Sequence, residues 1–187
     1  MQETALTEQI NSPITIATQL GNRCSGKYLA FHLGKEEFGI DVLRILEIIG
    51  VQDITSVPSS PPYVKGVINL RGKVIPVIDL RAKFGLQQVE YTKRTCIIVV
   101  QVAGERTPAL VGVVVDGVSE VLNISAQEIE AAPNFGTSES LPYILGMAKM
   151  KDGVKMLLDI NVVLSRQEFK CLAPVEVKTQ AEKREIR

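Results

Sequence analysis

Tryptophan is absent from the 187-residue chain, histidine occurs once, and aromatic residues make up only 5%. Base-stacking platforms on nucleic acid need more rings than this. A metal centre needs several imidazole or thiolate ligands, and the lone His32 has neither a second histidine nor a cysteine pair beside it. Cys24, Cys96 and Cys171 are odd in number and far apart. That spacing gives neither a disulfide framework nor a zinc site and favours a reduced, cytosolic setting. Neither sign of charge is in excess: 21 Lys+Arg face 21 Asp+Glu. The balance excludes a general binder of nucleic acid or anionic membrane. No apolar run approaches the roughly 18 residues that cross a bilayer, and the start lacks the basic and apolar regions of a signal peptide. Phosphate loops, dinucleotide fingerprints and nucleophile elbows are missing too. The expectation is a protein without catalysis, cofactor or metal.

What is present is a chain with 45% hydrophobic residues, enough for a sizeable core. Its centre of organisation is Gly66–Leu80, two apolar arms joined at Arg71-Gly72. Gly72 supplies the positive φ that a tight hairpin requires. Pro76 cannot donate to a ladder, which puts it at an edge or a bulge. The turn holds one guanidinium, Arg71, at the tip of an apolar hairpin. Such a group anchors a carboxylate well and has no proton to give at neutral pH.

Hairpins are also expected around Gly34–Glu37 and Asp152-Gly153, with strands at Cys96–Val102, Ala109–Val115 and Val118–Ile124. Ile45–Ile49 reads as a short buried strand with Glu47 as its one charge. Asp41, Asp79 and Asp159 stand where N-caps stand, before a single turn to Arg44, a short helix Leu80–Phe84 and a terminal helix Ile160–Leu172. Asp116 opens an Asp-Gly turn. Ser125 to Glu128 has capping-box spacing. A helical turn is expected before Gly66, an ordered piece at Ile14–Leu20, loops over 86–94 and 133–142, and a solvated tail over 174–187. His32 and Cys96 read as structural strand residues. Glu47 and Arg71 are the two charges that apolar surroundings leave unexplained, and they suit the charged rim of a protein–protein interface.

The pattern also suggests an internal repeat. Gly146–Ile160 lies 80 positions after Gly66–Leu80, matching Gly66, Val74 and Asp79 to Gly146, Val154 and Asp159, and Arg71 to Lys151. Gly39–Ile49 lies 73 positions before Gly112–Leu122, matching Gly39, Val42 and Glu47 to Gly112, Val115 and Glu120.

Phe38-Gly39-Ile40-Asp41-Val42, Leu46-Glu47-Ile48, Tyr63 through Gly72, Pro76 through Arg81 and Val111 through Val118 together resemble the CheW-like family of bacterial chemotaxis coupling proteins, over residues 27–165. Asn69-Leu70-Arg71-Gly72 followed by Pro76-Val77-Ile78-Asp79-Leu80 marks that family and the homologous regulatory domain of the histidine kinase CheA. The resemblance implies an all-β fold with short helices: two five-stranded, SH3-like antiparallel β-barrels packed around a shared hydrophobic core. One barrel would cover about 27–90 and the other about 91–165, with an arm at 1–26 and a helix and charged tail at 166–187. It implies a cytoplasmic adaptor, recruited to membrane-associated arrays, that couples the cytoplasmic tips of transmembrane chemoreceptors to CheA. It implies no cofactor, nucleic-acid partner or membrane insertion. Carried onto this chain, Val42, Ile45, Glu47, Ile48, Val111 and Gly112 would lie near the receptor. Arg71 would be an interaction residue, with Gly66 and Asn69 beside it. Ile48-Ile49-Gly50 departs from relatives in which a basic residue often follows the Glu47 strand. A small-molecule-binding barrel is the reading from another class.

Overall fold

The computed structural model describes residues 21–104, 107–132 and 141–164. Eleven strands follow one another as β1 (Gly26–Leu33), β2 (Glu36–Asp41), β3 (Ile45–Gly50), β4 (Val64–Leu70), β5 (Lys73–Asp79), β6 (Cys96–Val102), β7 (Ala109–Val115), β8 (Gly117–Ile124), β9 (Ile129–Glu130), β10 (Ile144–Met150) and β11 (Gly153–Leu158). Two one-turn helices, α1 (Leu80–Lys83) and α2 (Ile160–Val163), close the matching hairpins β4–β5 and β10–β11. The Asp caps form as expected. Asp79 accepts from the Ala82 N–H and Asp159 from the Asn161 N–H, at 3.2 and 2.9 Å. The arm expected over 1–26 gives way to structure earlier than Lys27. Residues 21–24 form a helical turn, Cys24 is buried, and the Tyr28 hydroxyl donates to the Cys24 carbonyl at 2.7 Å. The terminal helix expected over Ile160–Leu172 instead ends after one turn at Val163, because Leu164 leaves helical geometry with φ −105° and ψ 63°. The piece expected at Ile14–Leu20, part of the 133–142 loop, and the tail over 174–187 lie outside the described residues. The expected helical turn before Gly66 is a β-turn instead, with the Val64 N–H donating to the Pro61 carbonyl.

The strands form two sheets, ordered β8-β1-β2-β11-β10-β9 and β3-β6-β7-β5-β4. One has the five strands expected, and the other adds the two-residue β9. An apolar cluster built from both sheets, including Phe31, Ile40, Ile78, Val100, Val113 and Leu158, forms the shared core. Each sheet has its own smaller interior, around Tyr28, Ala148 and Leu157 on one side and Ile68, Val77 and Ile97 on the other. The rings of Phe31, Phe38, Phe84 and Tyr143 stack in a chain through the shared region, with centroids 5.3–5.8 Å apart. The Arg81 guanidinium from α1 reaches the Asp116 carboxylate, which also accepts the Gly34 N–H at 2.6 Å. Asp116 thus ties the bend between β7 and β8 to two other elements, the Gly34 turn and α1.

The repeat is evident in register. β4–β5 and β10–β11 carry the same bulge, between Val64 and Gly66 and between Ile144 and Gly146. Val77 lies beside Gly112 in the parallel pair β5–β7, and Leu157 lies beside Gly39 in the parallel pair β11–β2. The halves are not one barrel each, however. β1 and β2 pair with β8 and β11, while β6 and β7 pair with β3 and β5. The division at residues 86–94 therefore fails as a barrel boundary, because each barrel takes strands from both halves of the chain. Local turn chemistry gives hairpins but is silent on which distant strand a hairpin joins. Pro76 fits neither simple expectation. Its strand is interior in the sheet order, but the parallel ladder to β7 begins only at Val77. The bulge is in β4.

One polar row crosses the first sheet. Ser119 Oγ lies 2.7 Å from His32 Nε2 and donates to Glu37 at 3.2 Å. Lys155, only 2% exposed, donates to Glu37 at 2.5 Å and to Asp152 at 2.9 Å. The Lys155 hydrogen bond is the largest influence holding the Glu37 carboxyl below its ordinary range, and the same donor lowers Asp152. A carboxylate whose folded pKa is depressed stabilises the fold above its unfolded pKa, and that contribution is lost as pH falls through the folded value. The melting temperature is therefore expected to hold at neutral pH and to fall on acidification below about 4.5, the ordinary glutamate value. Lys155→Met is expected to flatten that acid limb, which calorimetry across pH checks.

Candidate functional site

Chain geometry brings the two unexplained charges together. The Asp41 carboxylate accepts the Leu43 N–H at 2.9 Å and starts a 3-10 turn, Val42–Arg44, from which β3 departs. β3 stands at one end of its sheet and pairs with β6. Its side chains alternate between half-buried and exposed, so the expected buried strand is corrected. Ile45, Glu47 and Ile49 turn inward, while Leu46 and Ile48 are 56% and 43% exposed. One-sided strands alternate in this way, whereas strands covered on both faces are apolar throughout.

The β4–β5 hairpin brings Arg71 to this strand. Arg71 itself adopts φ 50° and Gly72 φ 83°, the pair of positive angles of a two-residue I′ turn. Asn69 Oδ1 accepts the Gly72 N–H at 2.8 Å and fixes the turn. The guanidinium donates to Glu47 Oε2 at 2.7 Å, with the Arg71 side chain 80% exposed and that of Glu47 18% exposed. The carboxylate is thus sheltered, while most of the guanidinium's donors face outward. Leu43 at 89% and Val74 at 70% exposure add apolar surface on the same elements. The result is a fixed cation held by an internal carboxylate, with aliphatic side chains on the adjoining turn and strands.

The other expected site residues divide by burial. Val42 and Ile45 are half-buried against the shared core, and Asn69 is exposed with its side-chain oxygen turned to its own hairpin. Val111 is fully buried, so its position near a receptor cannot be one of direct contact in this structure. Gly112 is buried between β5 and β6, where a Cβ would come 2.7 Å from Ile97 Cγ2. Gly66 is buried with φ 140°, and its Cβ would meet the Thr55 carbonyl oxygen. These three shape backbone that supports the surface. Leu43, Leu46 and Val74 were missed by sequence reasoning as exposed residues. The signal available for Leu46 was the alternation around Glu47, which places a charge and its neighbours on opposite faces. A cleft of about 380 Å³ is lined by Arg23, Asp41, Arg44 of the 3-10 turn, Asp159, Leu145 and Ile160. Cys96 is buried opposite Gly50 at the end of β3, and burial raises its thiol pKa, consistent with a structural residue.

A model of the CheW-like domain matches residues 27–168. The chain belongs to the CheW-like family. It is 40% identical to the chemotaxis protein CheW of Klebsiella aerogenes over 155 residues, covering 83% of this chain and 91% of that protein. Identity to the chemotaxis protein CheW of Bacillus subtilis is 33% over 148 residues, covering 79% and 92%. Among solved structures, the scaffolding protein TtCheW of Thermoanaerobacter tengcongensis superposes with a TM-score of 0.66 at 33% identity, covering 74% of this chain and 92% of that one. The CheW-like fold accounts for the paired SH3-like sheets and shared core described above. The matched span begins at Lys27, although the ordered helical turn at 21–24 packs into the same domain.

Proposed function

We propose that this CheW-like chain is a non-enzymatic chemotaxis adaptor that couples chemoreceptors to the histidine kinase CheA. In this reading it is cytoplasmic and is drawn to membrane-associated receptor arrays by its partners. The observation that carries the proposal is the exposed Arg71 guanidinium, braced by Glu47 at 2.7 Å, on a strand that turns Leu46 and Ile48 outward on its other face, with Leu43 exposed in the preceding turn and Val74 exposed on β5. An apolar centre with a fixed charge at its rim gives both affinity and orientation in protein docking. Leu46 and Ile48 would meet the cytoplasmic tip of a receptor, with Val42, Ile45 and Glu47 behind them. Arg71, oriented by Asn69, would pair with a carboxylate of receptor or kinase. Gly66, Val111 and Gly112 would hold the backbone that presents these groups.

The test is co-sedimentation of the full chain with receptor-containing membranes and purified CheA. The adaptor should increase the kinase brought down with matched receptors. Kinase recovery that is the same with and without the chain would refute coupling.

A further inference from the structure

The crossed sheet order raises a question of choice. The chain has two similar antiparallel hairpins, β1–β2 and β6–β7, and two similar sets of receiving strands. Each hairpin joins the terminal strand of a β4–β5-type hairpin through a short parallel seam. At one seam Met156, Leu157 and Leu158 lie beside Phe38, Gly39 and Ile40; at the other Val77, Ile78 and Asp79 lie beside Gly112, Val113 and Val114. Backbone pairing is nearly the same in both seams, so it does little to tell the partners apart.

Side chains at the seams do differ. The offset of 80 places Lys155 where β5 has Ile75, and the offset of 73 places Glu37 where β7 has Leu110. Ile75 and Leu110 belong to one apolar cluster. Lys155 and Glu37 instead form the ion pair at 2.5 Å, with Lys155 2% exposed. Opposite Lys155 across β10–β11 stands Ala148, while opposite Ile75 stands Ile68. The smaller residue leaves room for the longer lysine chain.

We propose that the Glu37–Lys155 pair selects the crossed pairing, in which the first half's leading hairpin joins the second half's closing hairpin. In the straight pairing β2 would lie against β5 and β7 against β11. Glu37 would then face Ile75, and Lys155 would face Leu110. Asp152 lies in the same hairpin as Lys155 and would accompany it in either arrangement, so it does not discriminate. Glu37 is the carboxylate that only the crossed arrangement supplies. Without it Lys155 would keep only the 60%-exposed Asp152, and Glu37 would lose its ammonium, so breaking the pair penalises the straight arrangement; specificity gained by penalising the wrong partner needs no extra stability in the right one.

The test replaces the ionic seam with a copy of the apolar one, as E37L/K155I in the full chain. Wild type and variant are unfolded in urea, refolded by dilution, and compared by amide NMR spectra and by size-exclusion chromatography with light scattering. A control, E37K/K155E/D152N, reverses the pair and removes the carboxylate that would oppose the new glutamate. Wild type and the reversed pair should each refold to one monomeric species with one set of resonances. E37L/K155I should stay folded, with a melting temperature no lower than wild type, yet refold to more than one set of resonances or to exchanged dimers. A single native set from E37L/K155I overturns the proposal. So does its failure to fold, which would make the pair a requirement for stability, and so does equal heterogeneity in the reversed pair.

Discussion

Gly66→Ala is expected to cost roughly 3 kcal/mol or more, an amount at the severe end for a single substitution, and to lower the melting temperature by about 6–12 °C for a chain of this size. Two effects act together. Gly66 holds φ 140°, a conformation that a side chain strains. The added Cβ would also lie 2.1 Å from the Thr55 carbonyl oxygen and 2.9 Å from Ser56 Cα. Those atoms are backbone, and they are held there because Thr55 and Val67 exchange hydrogen bonds at 2.9 and 2.8 Å. Relieving the clash would break the bridge that brings the segment after β3 onto β4. Its repeat partner Gly146 provides the comparison. There the nearest atom is the end of a side chain, Ile129 Cγ2 at 2.9 Å, and the Glu130 carbonyl oxygen is 3.0 Å away. Gly146→Ala should therefore cost distinctly less. Thermal melts of both variants check the order as well as the size.

The second large effect concerns binding. Leu46→Asp combined with Leu43→Asp is expected to weaken docking to receptor membranes by at least tenfold. A loss of about 1.4 kcal/mol is enough for that, and truncating a single anchor residue often costs more. Melting temperature should change little, because Leu43 and Leu46 are 89% and 56% exposed and a carboxylate in their place stays in water. This separation is the informative part. A loss of binding accompanied by unfolding would point to a structural role, whereas a loss in a fully folded variant places the contact on this face. Titration of the chain against a fixed amount of receptor membrane measures the first quantity and calorimetry the second.

Much of this was legible in the sequence because it is local. Asp41, Asp79 and Asp159 cap turns that their own neighbours form, and Gly72 marks a hairpin whichever sheet it joins. The repeat was visible because matched bulges and caps need matched residues. Strand exchange between the halves was not visible, since Asp116-Gly117 reads only as a turn between two strands, whereas β7 and β8 leave it for different sheets. The ionic seam records the choice, but Glu37 and Lys155 are 118 positions apart. The site was half legible. Glu47 and Arg71 stood out as charges in apolar stretches, and their pairing across 24 positions followed only from the fold. Val111 and Leu46 look alike as aliphatic strand residues, yet one is fully buried and the other more than half exposed. A central strand and an end strand draw on the same residues, and tertiary position decides which face meets water.

The most direct test of the adaptor account exchanges the two charges. In Glu47→Arg combined with Arg71→Glu the internal ion pair can re-form, but the exposed group at the hairpin tip becomes an anion. Kinase brought down with receptor membranes should fall strongly for Arg71→Asp and should stay low for the exchanged pair, provided thermal melts show both variants folded. That result would mean the outward cation reads a partner. Recovery of wild-type recruitment by the exchanged pair would contradict it, reducing Arg71 to an internal brace and moving the docking surface elsewhere on the molecule.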